Sequence, residues 1–139
     1  MTATPPIDDP VSDADIRTLA AFRRQLRGFL HFSETAAAGE GLTPQQHQAL
    51  LAIRAAEARA LSVGELAEAL LLRPHSASEL ASRLEALGLV RRLDDAEDGR
   101  RRVIAPTERA ERLLLALSEA HREELRRLRP LLVGLLERL

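Results

Sequence analysis

The stretch from Leu61 to Thr107 is punctuated so closely that it can fold only as a series of short elements. Ser62-Val63-Gly64-Glu65 is a capping box: the hydroxyl and the carboxylate each accept a backbone N–H at the start of a helix. That helix carries Leu66, Ala67, Leu70 and Leu71 and ends at Arg73-Pro74, because proline cannot continue a helix interior but can open the next helix at its first turn. A second helix is expected from Pro74 to Leu87, with Gly88 as its left-handed stop. Leu89 to Ala105 then reads as a hairpin, with Leu89 and Val90 anchoring one strand, Val103 and Ile104 the other, and a charged tip containing Gly99.

The helix from Pro74 to Leu87 has two unlike faces. Ala77, Leu80, Ala81, Leu84 and Leu87 recur at helical spacing and predict a buried stripe. The opposite face carries His75, Glu79 and Ser82, flanked by Ser76, Ser78 and Arg83, with Arg73 in the turn before it. An ordinary solvated helix face favours long charged side chains. Small hydroxyls let a helix approach closely and meet base edges or phosphates in a major groove about 12 Å wide. Capped helix, tight turn, small-polar helix and charged hairpin, in that order, predict a winged helix-turn-helix whose second helix enters the major groove of double-stranded DNA.

The flanks have a different character. Leu19, Phe22, Leu26, Phe29 and Leu30 form one stripe, and Leu128, Leu132, Leu135 and Leu139 form another, so both ends of the chain are expected to seek an apolar partner. The expected division is a disordered tail over 1–11, a dimerisation helix over 12–38, a DNA-binding lobe over 42–106, and a long helix followed by a short terminal one over 107–139. Ala36–Gly41 is the expected end of the first helix and the loop after it. Thr43, Pro44 and Gln46 start the next one, which is expected to run to about Glu57. Thr107 starts the long helix, and Pro130 is expected to end or kink it. The fold class is mainly α with a small β-hairpin wing, in keeping with apolar residues that are mostly Leu and Ala.

Composition narrows the function. The only aromatics are three phenylalanines, which excludes the stacking platforms that hold single strands. Cysteine is absent, which removes disulfides, thiolate nucleophiles and Cys-based zinc sites, and a reducing cytoplasm is the expected location. No signal segment and no run of about 20 apolar residues appears, so no membrane partner is expected. The formal net charge is −1, and a nucleic-acid reading therefore rests on where the charges lie. All 20 basic residues counted as Lys or Arg are arginine, whose planar fork suits phosphate and guanine. No phosphate loop, His-Glu-x-x-His or nucleophile–base constellation is present, so no enzymatic activity and no cofactor are expected.

Leu66-Ala67-Glu68-Ala69-Leu70, the run from Arg83 to Arg92, and Asp98-Gly99-Arg100 followed by Val103 and Thr107 resemble the MarR (multiple-antibiotic-resistance regulator) family of winged-helix proteins. The resemblance implies a homodimer whose first and last helices intertwine over a palindromic operator. It also implies a small-molecule effector that releases DNA. By the same resemblance Arg100 would enter a minor groove, and Asp98 would stabilise the wing by pairing with an arginine. Arg101 and Arg102 point to alternate strand faces and are the expected phosphate contacts.

The chain departs from the family pattern at four positions: Leu71 where glycine often stands, Glu79 where many relatives carry a base, Pro106 for the exit leucine and Ala110 for the exit glycine. Glu79 would repel phosphate unless it accepts from a cytosine amino group. Some relatives sense zinc through histidines and carboxylates. His31, His47 and His121 could approach one another in a dimer, but none has a second histidine three or four residues away, and no metal site is expected. Two alternatives stand beside the DNA-binding regulator: a winged-helix protein-interaction module without DNA affinity, and a zinc-responsive regulator of the same family.

Overall fold

A computed structural model of the chain describes residues 3 and 9–139, so most of the expected tail over 1–11 lies outside the described residues. The element order is α1 (Asp13–Gly39), α2 (Pro44–Ala55), α3 (Val63–Leu70), α4 (Pro74–Ala86), β1 (Val90–Asp94), β2 (Arg102–Pro106) and α5 (Glu108–Glu137). The chain divides into two compact units. One is built from the chain up to Phe32 together with Arg122–Leu139, and the other is Ser33–His121.

The start signals are where the side-chain chemistry puts them. Ser12 and Asp15 exchange reciprocal bonds at the head of α1. Thr43 with Gln46 and Ser62 with Glu65 close full capping boxes on α2 and α3. Pro74 opens α4. Gly88, at φ +72°, receives the chain after α4 in a conformation that glycine adopts without strain.

One expected boundary is sharpened and another is corrected. The first helix, expected over 12–38, runs to Gly39, since alanine is the strongest helix former and Ala37 is fully buried. The turn comes only at Gly41 (φ +77°), where Leu42 N–H reaches back to the Ala37 carbonyl at 2.9 Å. No separate terminal helix follows Pro130: α5 runs through it as one helix to Glu137. Proline removes one backbone donor, while Leu128, Leu132 and Leu135 carry the same apolar stripe across the break.

The unit Ser33–His121 encloses a core of Ala37, Leu50, Ile53, Leu66, Leu84 and Leu89, joined by Ile104 of β2 and by Leu114 and Leu117 of α5. It therefore extends past the 42–106 expected of the lobe. The two strands pair antiparallel, from Val90 opposite Pro106 to Asp94 opposite Arg102. Leu61 adds a bridge to Ile104, with N–H···O distances of 3.1 and 2.7 Å, which ties the segment before α3 to the base of the hairpin.

In the other unit the first turns of α1 lie against the last turns of α5, where Ala14, Thr18 and Ala21 share a cavity with Leu135 and Arg138. Much of its apolar surface is open: Ile16, Leu19, Leu30, Leu131 and Leu136 are each about half exposed.

Candidate nucleic-acid interface

The turn before α4 is built on an unusual residue. Leu71 adopts the left-handed conformation (φ 55°, ψ 43°) that closes α3, its backbone N–H reaching back to the last turn. Arg73 then precedes α4 without making a side-chain cap. Along α4, Ala77, Leu80, Ala81 and Leu84 are buried, whereas Arg73, His75, Ser76, Ser78, Glu79, Ser82 and Arg83 are all exposed. The structure thus gathers every α4 residue singled out by periodicity onto one open face. Leu87, expected on the buried stripe, is 41% exposed because the helix has already ended there.

Two polar contacts order that face. His75 Nε2 lies 3.2 Å from Glu79 Oε1, one helical turn away. Ser82 Oγ accepts from an Arg92 guanidinium N–H at 3.3 Å, and Arg92 also meets Glu85 at 3.3 Å. Arg92, on β1, thereby joins the outer face of α4 to the hairpin. Sequence reasoning missed it, since nothing local marks which strand arginine turns toward the helix.

The far end of α4 is held by the segment entering α5. Thr107 Oγ1 donates to the Gly88 carbonyl at 2.7 Å, Thr107 N–H to the Leu89 carbonyl at 3.0 Å, and Arg109 to the Leu87 carbonyl at 2.5 Å. A guanidinium on the carbonyl of the residue that caps a helix C-terminus also complements the helix dipole. Arg109 is a second residue that the sequence did not single out.

The wing departs from expectation. Asp98 does not pair with an arginine: its Oδ1 accepts the backbone N–H of Arg100 at 3.1 Å, and its carbonyl accepts that of Arg101 at 3.0 Å. A short carboxylate two residues before a free N–H closes a turn more readily than it reaches a mobile guanidinium. Arg101, expected on phosphate, turns inward instead. It pairs with Glu65 and lies 3.9 Å from Asp95. It lines a cavity of about 520 Å³ together with Glu57, Glu65, Asp94, Asp95 and Glu97, so the surrounding field explains its orientation. Arg102 stays exposed, 3.9 Å from Asp94 directly across the hairpin. Arg100 is exposed at the tip, and its guanidinium has no ion-pair partner among the described residues.

Of His31, His47 and His121, the last two come together and His31 stands apart. His47 is 1% exposed, and its ring centroid lies 5.1 Å from that of His121. His121 Nδ1 is 2.6 Å from the Leu117 carbonyl, so it carries the proton and leaves Nε2 to accept from Ser33 Oγ at 2.8 Å. His47 Nδ1 is buried without a hydrogen-bond partner. Burial, and then neighbouring His121, push the His47 imidazole below its ordinary value. His31 is exposed on α1. Among the described residues no three histidines or carboxylates cluster in a way that could hold a metal ion.

The expected dimerisation residues also divide. Leu19, Leu26 and Leu139 are exposed, and Phe22, Phe29, Leu132 and Leu135 are half-buried. Leu128, at 2% exposure, is covered by its own chain and is not open to a second copy. No helix among the described residues is long and apolar enough to cross a membrane.

Residues 40–101 match the model of the MarR family. Among solved structures, the chain is similar to AbsC, a MarR family transcriptional regulator from Streptomyces coelicolor. The identity is 22%, covering 86% of this chain and 80% of that one, with a TM-score of 0.68. It is similar to a mutant of MepR from S. aureus bound to an oligodeoxyribonucleotide (25% identity, 77% and 78% covered, TM-score 0.66). A MarR family protein from Bacillus stearothermophilus stands at 26% identity, 78% and 77% covered, and a TM-score of 0.66. No curated protein matches the chain.

Proposed function

We propose, from the premise that residues 40–101 are a MarR-family winged helix, that the chain is a transcription regulator binding double-stranded DNA as a homodimer. The observation that carries this reading is the exposed face of α4, where serines and arginine stand in place of a solubilising fringe and Arg92 makes the face continuous with the wing. A small-polar helix surface of this kind suits a major groove, and an unpaired wing-tip Arg100 suits the concentrated negative potential of a narrow minor groove. The MepR structure with an oligodeoxyribonucleotide supports the same partner.

The open leucines of α1 and α5 support pairing of two copies, since patches of this kind on a monomer mark interaction surfaces. Two-fold symmetry then gives a palindromic operator with half-sites about 10 bp apart. Repression relieved by a small-molecule effector, in the cytoplasm, completes the proposal.

The test is binding to the DNA upstream of the chain's own coding region over a series of salt concentrations. Affinity is expected to fall steeply with salt, because phosphate contacts release counterions. Arg100→Ala is expected to weaken binding roughly 5- to 100-fold, within the range of a groove contact. Salt-independent binding, or no effect of Arg100→Ala, would favour the protein-interaction module.

A further inference from the structure

We propose that Glu79 reads a base: its carboxylate accepts a hydrogen bond from the 4-amino group of a cytosine in the major groove, so that each operator half-site carries a C·G pair beneath the second turn of α4. This rests on the DNA-binding reading above and adds what that DNA must contain.

Glu79 is the only acid between Arg73 and Arg83. It lies on the open face of α4 with its side chain 58% exposed, among Ser76, Ser78 and Ser82. Other carboxylates around this surface are matched by arginines of the same lobe: Glu85 by Arg92 and Glu65 by Arg101. Glu79 has only His75, whose Nε2 holds Oε1 at 3.2 Å and leaves Oε2 directed by that contact but available.

A carboxylate accepts hydrogen bonds and cannot donate them. Brought against a duplex it is repelled by every phosphate, and in the major groove only two groups offer it a donor, the cytosine 4-amino and the adenine 6-amino. Adenine sets the N7 acceptor beside its amino group, which opposes a second carboxylate oxygen. Cytosine sets only a C–H there. The pairing partner, guanine, offers O6 and N7, both acceptors, and the neighbouring Arg83 is a donor that can meet them. The departure from a basic residue at this position thus becomes a choice of base.

The test selects binding sites from randomised duplexes with the full-length chain and with Glu79→Ala. The wild-type chain is expected to enrich a two-fold motif with an invariant C·G pair in each half, and Glu79→Ala to lose preference at that pair alone while binding unselected DNA at least as tightly. A second arm needs no variant. Replacing that cytosine by a pyrimidinone lacking the 4-amino group is expected to weaken wild-type binding roughly 5- to 100-fold. Identical motifs for both proteins, or indifference of the wild-type chain to the missing amino group, would overturn the proposal. If the wild-type chain enriches no sequence, the DNA-binding reading itself fails and this one with it.

Discussion

The two units of the chain treat their leucines in opposite ways. In Ser33–His121, Leu50, Leu66, Leu84 and Leu89 have no more than 1% exposure, so the lobe completes its own interior. In the α1–α5 unit, Ile16, Leu19, Leu30 and Leu136 are half open, and only Leu128 is closed off among the large residues of its stripe. Both units draw on the same Leu- and Ala-rich vocabulary. One is a finished core, whereas the other leaves much of its apolar surface open, which is the difference that the proposed pairing of two copies would account for.

The contrast can be broken most forcefully from within the lobe. Leu50→Ala removes a fully buried side chain and is expected to cost about 2–5 kcal/mol, read by urea denaturation. If the lobe is self-sufficient, that loss does not change with protein concentration. Leu136→Glu, on the open unit, should leave the urea midpoint of the single chain unchanged. It should shift sedimentation from dimer to monomer and weaken operator binding on the order of 100-fold, as the second half-site is lost. A variant that still sediments as a dimer would put the interface elsewhere.

The lobe has two large exceptions, Leu115 at 64% exposure and Leu71, which is 93% exposed and strained at φ 55°. A left-handed non-glycine residue costs roughly 1–2 kcal/mol, part of which glycine returns through its freedom in the unfolded chain. Leu71→Gly is therefore expected to stabilise the lobe by somewhat under 1 kcal/mol, and a lower melting temperature would show that Leu71 makes contacts worth its strain.

His47 gives the smallest effect and the most specific. Its folded value lies below the ordinary value near 6.5, so the unfolded chain takes up the proton first. Stability is full above about pH 6.5 and falls as the pH drops from there through the lowered folded value. His47→Leu should flatten this part of the pH–stability curve. If the variant's curve is as steep as that of the wild type, the proton is going elsewhere.

What could be read from the sequence was local. Thr43, Ser62, Pro74 and Gly88 act within one turn of themselves, and they set the starts of α2, α3 and α4 and the exit from α4. The polar face of α4 followed from the 100° step between residues and needed no partner. The remainder depended on residues far apart in the chain. Arg101 reaches Glu65 across 36 positions and Arg109 reaches the Leu87 carbonyl across 22, and no periodicity announces either contact. The continuation of α5 through Pro130 likewise runs against a local rule, since proline in a helix interior removes a backbone donor.

The bonds from Thr107 and Arg109 to the Gly88 and Leu87 carbonyls pin the exit of α4, whereas its His75 end has no side-chain cap and is held by the burial of Ala77 and Leu80. Twelve residues separate the anchor from His75, a lever on the order of 18 Å at about 1.5 Å per residue. A rotation of about 5° at the anchor displaces the His75 end by roughly 1.5 Å, enough to turn a hydrogen bond of about 2.9 Å into a mere contact. The first turn of α5 is therefore a place from which the pose of α4, and with it the proposed hold on DNA, is adjusted without altering any residue of the exposed face of α4.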